Sequence, residues 1–334
     1  MPTNLKDRVT IYEVAAASGV SLATVSRVIN NLDNVKAETR KKVQDAIKRL
    51  GYRPSGLAQA LATSKTTNIG VVIPGANFVY ISNFLHGLTD SAKEKGYAIT
   101  LFCTSNEKDE ALNAIDNIIT SHVDGAIIFD DVLDEEDVQK ITGYHVPVVV
   151  VNNKIENKEK VASITFGYEH TLREKIIRPR LVNYEKPMYF LQLEGAGRLL
   201  ERLERSFITT HEEENKKYHI LHVEDDYSKI YQTFYELFSK VHQGFFLCYR
   251  DSIAAAVLNA ALDQGLSVPE DVEILSLIGT RYADIIRPKI SNLNLDMYKV
   301  ALIAMDMLVK LMDGEYYLPR IKIESNYIEL DSTK

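Results

Sequence analysis

The chain has 334 residues, 46% hydrophobic and 25% charged, with a formal net charge of −7. That length and apolar content can bury a substantial core and suit more than one domain. No apolar run approaches the ~18 residues of a membrane span and the opening MPTNLKDRVT is polar, which argues against a span or a secretory signal and places the protein in the cytoplasm.

Residues 15–30 read AAASGVSLATVSRVIN. Ile11 to Ala17 can form a short helix, Ser18 and Gly19 a turn, and Ser21 a cap for a second helix. On that second helix Leu22, Val25, Val28 and Ile29 can share the packing, while Ser21, Ala23, Thr24, Ser26, Arg27 and Asn30 form a small polar or basic surface. Two short helices joined by a glycine-containing turn have helix-turn-helix spacing; a generic helical hairpin is the alternative. A third helix opens near Val35 and stops at Gly51, with Pro54 preventing continuation. Residues 1–64 carry ten Lys or Arg against five Asp or Glu, about +5, which leaves about −12 for the rest. A basic head on an acidic body suits a small domain that neutralises phosphates beside a large one that stays soluble.

After residue 66, apolar runs alternate with helical stretches. NIGVVIP, YAITLFC, GAIIFD and PVVVVN read as strands, separated by helices over 82–95, 109–121 and 134–143. A second series, MYFLQL, YHILHV, GFFLCY and VEILSL, alternates with helices near 198–210, 227–241 and 251–264. Continuous apolar strands alternating with helices predict parallel sheets covered on both faces, hence two α/β lobes. Cys103 and Cys248, each in an apolar run, read as buried reduced thiols.

Enzyme signatures fail on inspection. Gly195-Ala196-Gly197 follows a strand, but Leu200 stands where a dinucleotide fingerprint needs its third glycine. His219 and His222 point to opposite faces of a strand. Asp130-Asp131 and Asp225-Asp226 lack further ligands at metal spacing and read as caps or solvated loops. No Walker lysine, nucleophile elbow or zinc spacing is present, so neither a catalytic site nor a cofactor or metal is expected.

VTIYEVAAASGVSLATVSRVINN, followed by VKAETRKKV and LGYRPSGLAQALATSKTTNIGVVIP, resembles the LacI-GalR family of bacterial transcription regulators, and within it the catabolite-control branch. The similarity runs on through DQGLSVPED and TRYADIIRPKIS to STK. The resemblance implies an all-α helix-turn-helix headpiece on a two-lobe, periplasmic-binding-protein-like α/β core, crossed three times by the chain, and a homodimer on a pseudo-palindromic operator. The expected boundaries are 1–64 for the headpiece with a hinge helix at 55–62, 66–165 with 294–319 for the first lobe, and 166–293 with 320–334 for the second. The function expected is a repressor of carbohydrate or carbon-catabolite genes, with a sugar-responsive local operon repressor as the alternative within the class; a cytosolic two-lobe sugar-binding protein or transferase, the alternative of another class, would not need residues 9–61.

Arg27 has the planar fork that matches guanine O6 and N7 in the major groove, and Leu22 and Ala23 lie where apolar side chains meet thymine methyls. The resemblance implies that these three read bases. Thr10, Ser21, Thr24, Ser26, Asn30 and Tyr52 look placed for phosphates, with capping or solvation as the alternative for each. Leu61 corresponds to the wedge that opens a minor-groove step. Gly56 and Gln59 replace the family's usual alanine and arginine in the hinge helix and weaken it.

In the cleft the resemblance places Tyr80, Gly167, Leu203, Arg250, Asp251 and Ile278. Gly167 stands for the family's usual Asp, Leu203 for Arg or Lys, Arg250 for Asn or Thr, and Ile278-Gly279 for an acidic or amide pair; only Asp251 is kept. A cleft without those groups binds a sugar poorly, because sugar affinity comes largely through hydrogen bonds. The small-molecule effector, if one exists, is unidentified. Arg281 and Arg287 stand where the branch places arginines, and the resemblance implies that Arg287 can pair with a seryl phosphate on the phosphocarrier protein HPr. Asn83, His86 and Thr89 argue the other way, since they replace the charged residues usual on the first-lobe helix. An exposed or lobe-bridging role is the alternative for Arg287.

Overall fold

Thr10 opens the first helix, α1 (Ile11–Ser18), through a capping box: the Glu13 N–H donates to the Thr10 hydroxyl at 3.4 Å and the Thr10 N–H donates to the Glu13 carboxylate at 2.7 Å. Two N–H groups with no partner inside the helix are thereby satisfied. Gly19 ends α1 at φ +67°, a conformation glycine adopts without the steric penalty of a Cβ. Ser21 then caps α2 (Leu22–Ile29), accepting from the Thr24 N–H at 3.2 Å. A third helix, α3 (Ala37–Leu50), stops at Gly51, φ +66°. Val14, Val25, Val28, Val43 and Ala46 form a small buried core between the three.

The structure, a computed structural model, describes residues 9–53, 65–75, 79–104, 107–130, 132–153, 155, 160–183, 186–193 and 197–334. Met1–Thr66 and Thr67–Lys334 are separate units. The hinge segment 55–62, with Gly56, Gln59 and Leu61, lies outside the described residues, as do Asp131, Gly195 and Ala196.

The larger unit holds two six-stranded sheets. The first runs β11-β5-β4-β3-β1-β2, with β1 (Asn68–Ile73), β2 (Ala98–Cys103), β3 (Gly125–Ile128), β4 (Val148–Val151), β5 (Val161–Phe166) and β11 (Arg320–Ile323), all parallel. The second runs β12-β10-β9-β8-β6-β7, with β6 (Met188–Leu193), β7 (His219–Val223), β8 (Gly244–Arg250), β9 (Val272–Ile278) and β10 (Ser291–Asn294) parallel and β12 (Asn326–Ile328) antiparallel. Every residue of β3, β4 and β9 is buried, as expected of parallel strands covered on both faces. Helices α4 (Val79–Lys95), α5 (Lys108–Thr120) and α6 (Glu135–Gly143) belong to the first series; α9 (Arg198–Glu213), α10 (Tyr227–Phe238) and α11 (Asp251–Asp263) belong to the second. Between the series lies a helical run, α7 (Tyr168–Thr171), a π-helix Leu172–Ile177 and α8 (Arg178–Asn183). Pro179 has no N–H for the carbonyl one turn earlier, and the register widens just before it.

Three expectations are corrected. Arg320–Ile323 does not belong to the second lobe: it pairs parallel with β5 in the first sheet, so the third crossing falls at Glu324-Ser325. Its alternating exposed and half-buried residues suit an edge strand. Cys103 is exposed, because β2 is the edge of its sheet and only one strand covers its flank. Cys248, in contrast, is fully buried in β8, where burial raises its thiol pKa. Leu22 takes no part in the headpiece core and is 37% exposed.

Two further helices complete the core, α12 (Arg281–Ile285) and α13 (Met297–Asp313). α13 packs along α4 and against β3 and β4, which puts it in the first lobe. Gly87 makes this approach possible, since a Cβ there would lie 2.5 Å from the Tyr298 carbonyl oxygen and 2.8 Å from the Ala301 Cβ. In the second lobe the tail is threaded through the sheet edge. The Ser332 hydroxyl donates to the Ile274 carbonyl at 2.6 Å and accepts from the Ser291 N–H at 2.8 Å, and the Thr333 hydroxyl donates to the Ser291 hydroxyl at 2.7 Å.

Two outcomes follow from these contacts. Gly87→Ala should destabilise the larger unit by about 1–3 kcal/mol through overpacking, despite alanine's better helix propensity; urea unfolding measures it. Asp134 caps α6 by accepting from the Asp137 N–H at 3.1 Å. The hydrogen bond from the Lys108 ammonium (2.5 Å) holds its carboxyl down at about 2. A depressed carboxylate stabilises the fold above its unfolded pKa and loses that contribution as pH falls toward 2. Asp134→Ala should therefore cost about 1 kcal/mol at pH 7 and progressively less below pH 4, read from denaturation midpoints across pH.

Candidate nucleic-acid interface and inter-lobe cleft

Helix α2 divides by helical phase. Val25 and Val28 are buried in the headpiece core, and Leu22, Ala23, Arg27 and Asn30 are exposed on the other side, with Ser26 half-buried among them. The Arg27 side chain has no hydrogen-bond or ion-pair partner among the described residues, so its guanidinium is available to a ligand. Several polar residues expected at phosphates are already engaged. The Thr10 hydroxyl donates to Glu13 at 3.0 Å, those of Ser21 and Thr24 lie 2.9 Å apart, and the Asn30 amide donates to the Ser26 hydroxyl at 3.4 Å. Tyr52 is half-buried against the core. Capping thus accounts for much of this polarity, although an exposed hydroxyl can still accept or donate one more bond.

Two of the cations in the basic head brace it. Arg40 donates to the Asn31 side chain at 3.0 Å and the Leu32 carbonyl at 2.6 Å, fixing the loop after α2, and Arg49 reaches the Ala17 carbonyl at 3.3 Å. Lys42 pairs with Glu38 at 2.8 Å. Net charge and spacing could not show which cations brace the fold, because their partners are backbone carbonyls brought near only by the turn.

The cleft differs from expectation in which side chains occupy it. Tyr80 is half-buried with its ring edge-on to Phe129, centroids 6.3 Å apart. A Cβ at Gly167 would lie 1.9 Å from a carboxylate oxygen of Glu324. Likewise, a Cβ at Gly279 would lie 1.9 Å from the Asn292 side-chain oxygen. Both glycines therefore sit under polar side chains, Glu324 just after β11 and Asn292 in β10, and are not bare gaps. Ile278 is buried at the end of β9.

Leu203 does not line the cleft: it is fully buried in the apolar core. Its neighbour Arg202 faces the gap instead: its Nε donates to Glu169 at 2.7 Å and its Nη2 donates to the Asn152 side chain at 3.3 Å. One turn earlier Arg198 donates to the Leu133 carbonyl at 3.4 Å. Arg250 donates from Nη2 to both carboxylate oxygens of Asp225, joining the ends of β8 and β7. Asp251 accepts from the Thr280 N–H at 2.9 Å and from its hydroxyl, tying α11 to the loop after β9. Burial raises the Asp251 pKa, and these hydrogen bonds oppose the shift. Asp130, expected as a solvated cap, is fully buried; it accepts from the Thr104 hydroxyl at 2.6 Å, and burial raises its pKa.

Arg281 lies over the Tyr282 ring at 5.7 Å, and Arg287 donates from Nη1 to the carbonyls of Asp284 and Ile286 at 2.7 and 2.8 Å, closing the end of α12. On α4, His86 lies 3.4 Å from Asp90, which also accepts from the Tyr298 hydroxyl at 2.9 Å. No helix among the described residues is long and apolar enough to cross a membrane, and no group of three or more metal-ligating side chains occurs among them.

A family model described as bacterial regulatory proteins of the lacI family matches residues 10–55, and one described as a periplasmic binding protein-like domain matches residues 194–333. Catabolite control protein A of Staphylococcus epidermidis is 33% identical over 312 residues, covering 92% of this chain and 93% of the relative. The protein of that name from Priestia megaterium is 33% identical over 322 residues, with the same coverage of each chain. The lac repressor dimer bound to operator and the anti-inducer ONPF superposes with a TM-score of 0.84 at 22% identity, over 98% of this chain and 99% of the repressor. The transcription regulator CcpA of Lactococcus lactis gives a TM-score of 0.66 at 20% identity, over 80% and 99%. The exposed recognition face of α2, the two-sheet core and these relationships converge: the chain belongs to the LacI family of bacterial DNA-binding transcriptional regulators.

Proposed function

We propose that the protein is a dimeric cytoplasmic repressor of carbohydrate or carbon-catabolite genes that reads a pseudo-palindromic operator through Leu22, Ala23 and Arg27. The observation that carries this is the unpartnered, exposed Arg27 on a helix whose opposite face is fixed by Val25 and Val28. An arginine fork held on a packed helix can take both guanine acceptors at once, while Leu22 and Ala23 meet thymine methyls. Thr10, Ser21, Thr24, Ser26, Asn30, Tyr52 and Lys36 set the register on phosphates, and Leu61 of the hinge wedges the minor groove. A palindromic site needs two heads. The exposed aromatic face of α10, with Tyr227 49% and Tyr235 37% accessible, suits a second copy.

The signal is the finer part of the proposal. Tyr80, Gly167, Arg250, Asp251 and Ile278 mark a cleft in which the Arg250 guanidinium and the Asp251 carboxylate are already bonded within the second lobe, so a sugar would have to break existing bonds to use them. Regulation then comes from elsewhere. Serine-phosphorylated HPr is the partner to test, with Arg281 and Arg287 as its phosphate ligands; Arg287 retains Nη2 for this role.

Arg27→Ala should lower operator affinity by about 1–3 kcal/mol with little effect on random duplex, whereas Lys36→Ala should weaken both alike. Binding at one fixed salt concentration reads this, and equal losses on both duplexes for Arg27→Ala would remove the base-reading role. In calorimetry on the full chain, common sugars and sugar phosphates should bind no tighter than ~1 mM. Any effect of serine-phosphorylated HPr should vanish in Arg287→Ala with unassisted operator binding intact. Micromolar binding of a sugar would restore the cleft as an effector site.

A further inference from the structure

The two lobes meet through side chains that lie outside the expected effector set. Arg198 and Arg202 are one turn apart at the start of α9 and so project from one face. Both reach out of the second lobe: Arg202 donates to the Asn152 side chain at 3.3 Å and Arg198 to the Leu133 carbonyl at 3.4 Å. Asn152 and Leu133 belong to the rim of the first sheet, just beyond the ends of β4 and β3.

The acceptors are fixed before the arginines arrive. Asn152 is 6% exposed, held at φ +64°, with its N–H donating to the Ile164 carbonyl at 2.8 Å. The Leu133 carbonyl is also bound by the Asn153 amide at 2.7 Å. Glu169, whose helical run packs against α9, accepts from Arg202 Nε at 2.7 Å and aims the fork. Buried Asp130 adds a negative field toward Arg198.

We propose that Arg198 and Arg202 form a latch that holds the two lobes closed with no small molecule between them. A planar guanidinium can satisfy two acceptors at once, which a lysine cannot do in the same geometry. Opening the lobes would exchange the Arg202–Asn152 and Arg198–Leu133 bonds for bonds to water, so the arginines favour closure by the net strength of charge-assisted hydrogen bonds. The latch does the work that a bridging ligand does in a protein whose lobes close on it. Arg202 and Glu169 are 35% and 31% exposed, so salt weakens the pair without abolishing it.

The latch acts without DNA. In the full chain with Cys103→Ser, spin labels on Lys140→Cys in α6 and Lys240→Cys after α10 report the lobe separation by pulsed electron resonance. With no ligand added, the parent should give one narrow distance distribution. Arg198→Ala/Arg202→Ala should give a broader one reaching longer distances, with Arg202→Lys in between. Circular dichroism confirms that the variants are folded. If the double variant does not fold, Asn152→Ala, which removes only the first-lobe acceptor, should broaden the distribution alone. Identical distributions in the parent and a folded variant, or a parent as broad as the variant, would overturn the latch.

Discussion

The chain passes between its sheets at Phe166, Asn294 and Ile323, and each of these residues ends a parallel strand. Carboxyl ends of parallel strands are where α/β sheets present their loops and helix starts. Three crossings at such ends place the loop-bearing rims of both lobes at one cleft. Every polar group there has a choice between partners on its own lobe, on the other lobe, or on a ligand. Three charged side chains among the described residues take the first two. Arg250 binds Asp225 within the second lobe, Asp251 binds Thr280, and Arg202 spans the gap to Asn152.

How far the sequence discloses this depends on whether the deciding contact is local. The apolar runs of β1, β3, β4, β8 and β9 are legible because strands buried on both faces tolerate little else. The helix-turn-helix is equally plain, since a cap, a left-handed glycine and a second cap lie within twelve residues of one another. β5 carries Ser163 and Thr165 and hides among turn-like residues, and Pro179 disguises the helical run that follows it. The edge strand β11, four residues of alternating character, looks like a linker until its partner is known.

The cleft is less legible because its occupants come from other elements of the chain. Gly167 and Gly279 look like lost side chains in the sequence, yet Glu324 and Asn292 fill the space above them. Leu203 against Arg202 is a matter of helical phase: a one-residue shift rotates a side chain by about 100°, from solvent into the core. Motif spacing carries no information on which of two adjacent residues faces the gap. In the headpiece, by contrast, the exposure of Arg27 is legible in the sequence because the apolar stripe opposite it is only one turn away.

The two sheets also share their last contributions. β11 closes the flank of β5 and β12 closes the flank of β10, so residues 320–328 supply an edge strand to each lobe. During vectorial synthesis neither lobe can then finish its sheet before that short stretch has left the ribosome, however early β1 or β6 emerges. The headpiece, complete by Tyr52 with its own core, can fold hundreds of residues sooner. A nascent chain would therefore carry a finished DNA-reading head on an unfinished core. Any pairing that depends on the finished lobes must wait until that stretch has emerged.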